Sequence, residues 1–187
     1  ATHDNLVKQL LEQTGESTQW PSDDQFMEAW YSNHAYQTLN SFKIVHILKR
    51  LNTTYIEDKM ESLTIEGTLT VEHILPQQWI ERWALPDGTK GMSFVELYNA
   101  EKSDARAEAT RARNAALQTI GNLTILTQPL NSSVSNNSWD KKKPELLRHS
   151  LLPINQQLQD ADVWDEDQIE KRAYELFQRA LKLWPRS

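Results

Sequence analysis

Three short stretches carry side chains suited to hydrolysing a phosphate ester. Glu72 and His73 stand side by side where a β-branched run breaks at Pro76; Asn122 lies within Ile120-Gly-Asn-Leu-Thr-Ile-Leu; Asn131 is followed, ten residues on, by Lys141, Lys142 and Lys143. Cleaving a phosphodiester takes a base for the attacking water, a cation for the charge on the pentavalent phosphate, and a group that stabilises the leaving oxygen. A neutral imidazole suits the first task near pH 7 if an acceptor holds its other ring nitrogen. The lysines suit contact with the scissile or an adjacent phosphate, and they equally fit a solvated charge run. Taken alone, Glu72-His73 also fits a hydrogen-bonded histidine at the edge of a core. Asn136 and Asn137 are secondary candidates in a Ser/Asn-rich turn, where the local turn chemistry accounts for them.

The elements that must position these residues are mostly helices. The run from Leu63 to Val71 is rich in Thr, Ile and Leu and predicts a strand ending near Glu72; Pro76 cannot continue a sheet ladder. Neighbouring strand residues face opposite ways, so Glu72 and His73 serve one site only if the strand breaks at His73. A second strand is expected over Ile120 to Thr127, then a short helix with Pro129 in its first turn. Ser138 is placed to cap a helix through Trp139, Leu146 and Leu147, with Pro144 in its first turns or breaking it.

Ser22 and Gln25 form a capping-box pattern ahead of a helix that should bury Phe26, Met27, Trp30 and Tyr31. A helix from Asn40 or Ser41 should turn Phe42, Ile44, Val45, Ile47, Leu48 and Leu51 inward, with His46 as a satisfied core or interface histidine. Met92 to Ala116 predicts one or two helices, whose alternating charges read as a solvated face rather than a DNA-reading one. The last helix, about 165–184, should bury Ile169, Ala173, Leu176, Phe177, Ala180 and Trp184.

Composition narrows the chemistry. The 187 residues include no cysteine, which excludes disulfides, a thiol nucleophile and Cys-ligated zinc; any metal must be held by His, Asn, Asp or Glu, a set favouring a hard cation. The formal charge of −6 argues against nucleic-acid binding by bulk electrostatics, although the lysine run could form a local basic site on an acidic body. No run reaches the roughly 18 apolar residues that span a bilayer, and the first residues lack a signal pattern, so a cytoplasmic location is expected and no membrane partner. Five scattered glycines supply no phosphate-cradling loop.

The strings Glu72-His73-Ile74-Leu75-Pro76, Gly121-Asn122-Leu123-Thr124-Ile125-Leu126 and Leu130-Asn131, in that order, resemble the HNH nuclease motif. The resemblance is closer to the C-terminal nuclease domain of GmrSD-type, modification-dependent restriction endonucleases. That subgroup shows Glu-His-Ile-Leu-Pro-Gln, then Gly-Asn-Leu-Thr running into Asn-Ser, then a Lys pair and a helix ending near Trp-Pro, here Trp184-Pro185. The segment from Trp20 and the helix around Ile47 to Leu51 also look like its leading portion, so about residues 20–185 are covered.

The resemblance implies a mainly α, α+β fold with a small ββα-metal core at 63–150, a helical insertion at about 84–118, an N-terminal helical part at 1–62 and a C-terminal helix within 151–187, all in one structural domain. It implies that His73 is the base, that a side-chain or backbone oxygen of Asn122 orients it, and that Glu72 and Asn131 ligate one magnesium ion, with manganese as the alternative. Two protein ligands imply weak binding without substrate. The gap from His73 to Asn122 exceeds that of the compact motif, which is why an insertion is expected. Asn131 replaces the last histidine, which favours magnesium over a transition metal.

The implied activity is DNA endonuclease or nickase action against modified or foreign DNA. The implied partners are DNA and an N-terminal nucleotide-hydrolysing sensor domain, none of whose motifs occurs in this chain. A fragment or separate subunit is therefore expected. The rival reading is a non-catalytic helical interaction domain that keeps the fold and presents Trp79 and Trp83 to a partner.

Overall fold

A computed structural model describes residues 3–15, 18–56 and 67–186. Ten helices are present among them: α1 (His3–Leu11), α2 (Asp23–Ser32), α3 (Ala35–Thr38), α4 (Ser41–Thr53), α5 (Phe94–Asn99), α6 (Ala105–Ala116), α7 (Gln128–Val134), α8 (Trp139–His149), α9 (Pro153–Gln156) and α10 (Glu166–Leu183). Two strands, β1 (Leu69–His73) and β2 (Leu123–Thr127), pair antiparallel, with Glu72 opposite Thr124 and His73 opposite Leu123. The fold is mainly helical α+β, as expected, and β1, β2 and α7 follow the strand, strand, helix order. The expected strand residues from Leu63 to Glu66 lie outside the described residues.

Local chemistry sets most helix ends. The Ser22 hydroxyl accepts from the Gln25 backbone N–H while the Gln25 side chain accepts from the Ser22 N–H, closing the capping box of α2. Asn40 caps α4 through the Lys43 N–H, and Asp165 caps α10 through the Gln168 N–H. The stretch at about 84–118 contains α5 and α6, with a second capping box at Ser93 and Glu96. Pro144 sits inside α8 without ending it. The second strand starts later than expected, because Ile120–Asn122 form a 3₁₀ turn that leads into β2.

The two-stranded sheet separates two buried clusters. Leu123 and Ile125 of β2 face Ile44, Leu48 and Leu51 of α4 and Leu176 and Ala180 of α10, while Leu126 faces Trp79, Val134, Trp139, Leu146 and Trp164. This is the alternation a strand imposes when both faces are covered. Helix α10 buries Ile169, Ala173, Leu176, Phe177 and Ala180, as its spacing predicts, whereas Trp184, expected to be buried with them, is the C-cap and only half-buried.

Several expected positions are corrected. Phe42 is 79% exposed and His46 is exposed, because the buried stripe of α4 is Ile44, Leu48 and Leu51. Both residues lie two positions from Ile44, about 200° around the helix and on its far side. Met27 is exposed and α2 buries no residue fully, its Phe26, Trp30 and Tyr31 being half-covered by Phe177. Trp79 and Trp83, which only the rival reading puts at the surface, are core residues 1% and 7% exposed. Their indole N–H groups donate to the Asn114 side chain and the Asn137 carbonyl.

Candidate functional site

Glu72, His73, Asn122 and Lys142 meet at the end of β1, with Asn131 against its middle. Glu72 and His73 are both buried, at 8% and 7% exposure, and their side chains meet different neighbours. The Glu72 carboxylate turns to α8, where Lys142 Nζ lies 2.5 Å from its Oε1. The His73 ring packs edge-on against Tyr36 of α3, centroids 4.3 Å apart. The strand pairing runs through His73, so the two side chains keep the opposite orientations of adjacent strand residues and the break expected at His73 does not occur there.

Burial, with Gln118 opposing it by favouring the protonated ring and the nearby Lys142 charge adding to it, brings the His73 imidazole down to about 4. The ring is therefore neutral at pH 7. Gln118 Oε1 is itself buried without a hydrogen-bond partner of good geometry, and Gln77 Nε2 stands 3.4 Å from both ring nitrogens. Tyr36, Gln77 and Gln118 are thus the imidazole's surroundings. Only Gln77 carried a sequence signal, as the last residue of the Glu-His-Ile-Leu-Pro-Gln string.

Asn122 does not reach the imidazole through any described hydrogen bond. It is wholly buried, and its side chain is fully used: Oδ1 accepts from the Leu75 N–H and Trp164 Nε1, at 2.8 and 3.0 Å, and Nδ2 donates to the carbonyls of Leu75 and Leu117, at 2.9 and 3.1 Å. Its backbone carbonyl accepts from the Ile74 N–H at 2.9 Å. Two donors and two accepted bonds saturate a carboxamide in a dry site. Asn122 therefore pins the chain that follows His73, which fixes where the imidazole stands.

Asn131 lies on the face of β1 that Glu72 shares. Its Nδ2 donates to Thr70 Oγ1 and to the Val71 carbonyl, at 2.8 and 3.0 Å, and these bonds leave Oδ1 uncommitted. The three lysines separate. Lys141 is exposed, Lys143 donates to the Ala161 carbonyl at 2.9 Å, and Lys142 is wholly buried. Burial places Lys142 away from the surface position that phosphate contact requires, and its ammonium also donates to the carbonyls of His73 and Ser135, both at 2.7 Å. Burial pushes the Glu72 carboxyl up and the Lys142 ammonium down, and each charge partly offsets the other's shift. Asn136 donates to Gln78, and Asn137 Oδ1 accepts from Arg82.

Glu72 and Asn131 carry the oxygen atoms nearest this face of β1 that a hard cation could use, and among the described residues no group of three or more His, Cys, Asp or Glu gathers for a metal. So sparse a set of protein oxygens would suit only a cation that keeps several of its own waters. The larger cavities lie elsewhere. Volumes of about 330 and 340 Å³ between α1, α2, α4 and the end of α10 are lined by Trp20, Phe26, Trp30 and Trp184 among others, and by none of the predicted site residues.

Residues 20–179 match the family model described as GmrSD restriction endonucleases, C-terminal domain. No curated protein and no solved structure matches the chain.

Proposed function

The chain belongs to the family of C-terminal domains of GmrSD restriction endonucleases, and from that premise we propose that it is a metal-dependent DNA endonuclease or nickase of the HNH type, acting on modified or foreign DNA. The observation that carries this reading is the buried imidazole of His73 at the end of β1, which burial keeps neutral. The Glu72 and His73 side chains point to opposite sides of the strand, so the reading requires the strand end to open at His73 when the ion and DNA bind. A histidine neutral at pH 7 accepts the proton of an attacking water without first having to lose one.

Glu72 and Asn131 would hold the magnesium ion, or manganese in its place. The bound ion would neutralise charge that develops on the phosphate. Asn122 holds Ile74 and Leu75 fixed and so keeps His73 at the strand end. Lys141, the exposed member of the lysine run, would make the phosphate contact; Lys143 is half-buried on Ala161. The acidic body, with its formal charge of −6, fits a cutter that draws its DNA affinity from an attached nucleotide-hydrolysing domain. The rival interaction-domain reading loses its carriers, because Trp79 and Trp83 are buried.

Plasmid nicking with and without magnesium tests the proposal. The native chain should nick only with the ion, and His73→Ala should fall by roughly 10²–10⁴-fold, the usual contribution of a general base. Equal nicking by both proteins would remove His73 from the reaction.

A further inference from the structure

Lys142 is the most fully committed ammonium among the described residues. Its three N–H groups meet three acceptors, the Glu72 carboxylate and the carbonyls of His73 and Ser135, with the side chain wholly out of solvent. The Ser135 carbonyl belongs to a strained residue: at φ 23° and ψ −121° it is the one non-glycine with positive φ among the described residues, and it is the C-cap of α7, the helix that carries Asn131. Strand β1, helix α7 and helix α8 are thus tied together through one positive charge. That charge sits on one of the two oxygen donors available to a divalent ion.

A divalent ion on Glu72 would share its carboxylate with a like charge in a water-poor site, where repulsion is far stronger than in bulk solvent. Arginine would hold such a site by a rigid fork, whereas a lysine ammonium is a point charge on a flexible stem. We propose that Lys142 is the resident cation of the Glu72 site and that the divalent ion enters by displacing its ammonium, which then becomes free to meet an anionic phosphodiester. This rests on the assignment of Glu72 and Asn131 as the cation's ligands. It makes the site closed to the ion at rest, and it gives Lys142 a role that its burial would otherwise exclude.

Calorimetric titration of manganese into the native chain and Lys142→Met tests the exchange. Removing the competitor should tighten binding at least about tenfold; unchanged or weaker binding in the variant would overturn the proposal, since a lysine that only positions Glu72 would lose affinity when deleted. Should Lys142→Met fail to fold, the native chain decides. In protein labelled with ¹⁵N-lysine, the Lys142 ammonium, protected by its three bonds, should give a slowly exchanging signal that is lost on saturation with magnesium. A signal that persists unchanged at saturation would overturn the exchange. Magnesium-dependent nicking that survives such a result leaves the nuclease reading standing, whereas loss of nicking dependence on both magnesium and His73 removes that reading itself.

Discussion

Two buried cations meet carboxylates in this fold, and they are held in different ways. Arg113 of α6 grips Glu166 with two prongs, Nε to Oε1 at 2.5 Å and Nη2 to Oε2 at 3.0 Å, donates Nη1 to the Ala84 carbonyl and lies 4.9 Å from the Trp79 ring centre. Lys142 offers Glu72 a single point charge. Burial raises both carboxyls, but at Glu166 the hydrogen bond and charge of Arg113 outweigh it and the group ends below its ordinary value. At Glu72 burial wins over Lys142, and the group ends above its ordinary value. Each carboxylate has its cation, but only at Glu166 does the cation outweigh burial. The difference separates a pair that fastens α6 to α10 from a carboxylate whose cation is held by a single, exchangeable point charge.

The largest expected effect tests the fastening. Arg113→Met leaves Glu166 without its partner and the Ala84 carbonyl without its donor, and should cost roughly 3–5 kcal/mol, the range for breaking a buried pair. Urea unfolding measures it. Manganese affinity should stay within about twofold of native, because no bond of Arg113 reaches Glu72 or Asn131. A loss below about 1 kcal/mol would place this pair with the exposed Lys90–Glu81 pair and remove the contrast.

The next effect comes from His73, which feels the Lys142 charge. Its folded pKa of about 4 lies below the ordinary 6.5, so the unfolded chain binds more protons between those values. The histidine therefore stabilises the fold fully above pH 6.5, and that stability is lost as the pH falls toward 4. The full shift corresponds to about 3 kcal/mol. Glu72, with a raised value, works in the opposite direction in native and variant alike. The difference between native and His73→Gln in urea unfolding at pH 7 and pH 4.5 isolates the histidine, and native should lose more of its stability on acidification. Equal losses would mean that the imidazole is not held neutral.

What was legible in the sequence was local. Ser22 with Gln25, Pro129 in the first turn of α7 and the apolar stripe of α10 each state their own structure, because the groups that cap or pack lie within a few residues or repeat at the helical period. The candidate residues could be named from the sequence, and the fold puts Glu72 and Asn131 on one face of the sheet. What was not legible depends on distant partners. Asn122 looked free to orient an imidazole; only the fold brings Trp164 and Leu117 to saturate it. Lys142 read as one of three equivalent lysines, and nothing nearby in sequence announces Glu72 as its partner. The outward face of α4 at Phe42 and His46 was misjudged because the apolar run exceeds the width of one stripe.

The lysine run supplies the smallest effect and the sharpest control. Successive helix residues are about 100° apart, so Lys141, Lys142 and Lys143 meet three environments: solvent, the Glu72 carboxylate, and the Ala161 carbonyl. Lys141→Ala deletes a solvated charge and should move the unfolding free energy by no more than about 0.5 kcal/mol. If Lys141 meets a phosphate, the same change should reduce the slope of log affinity against log salt by about 1 for a DNA duplex. A slope equal to native would return Lys141 to the solvated face. A large loss of stability would mean that burial does not divide this run into one functional cation, one buried counter-ion and one structural donor.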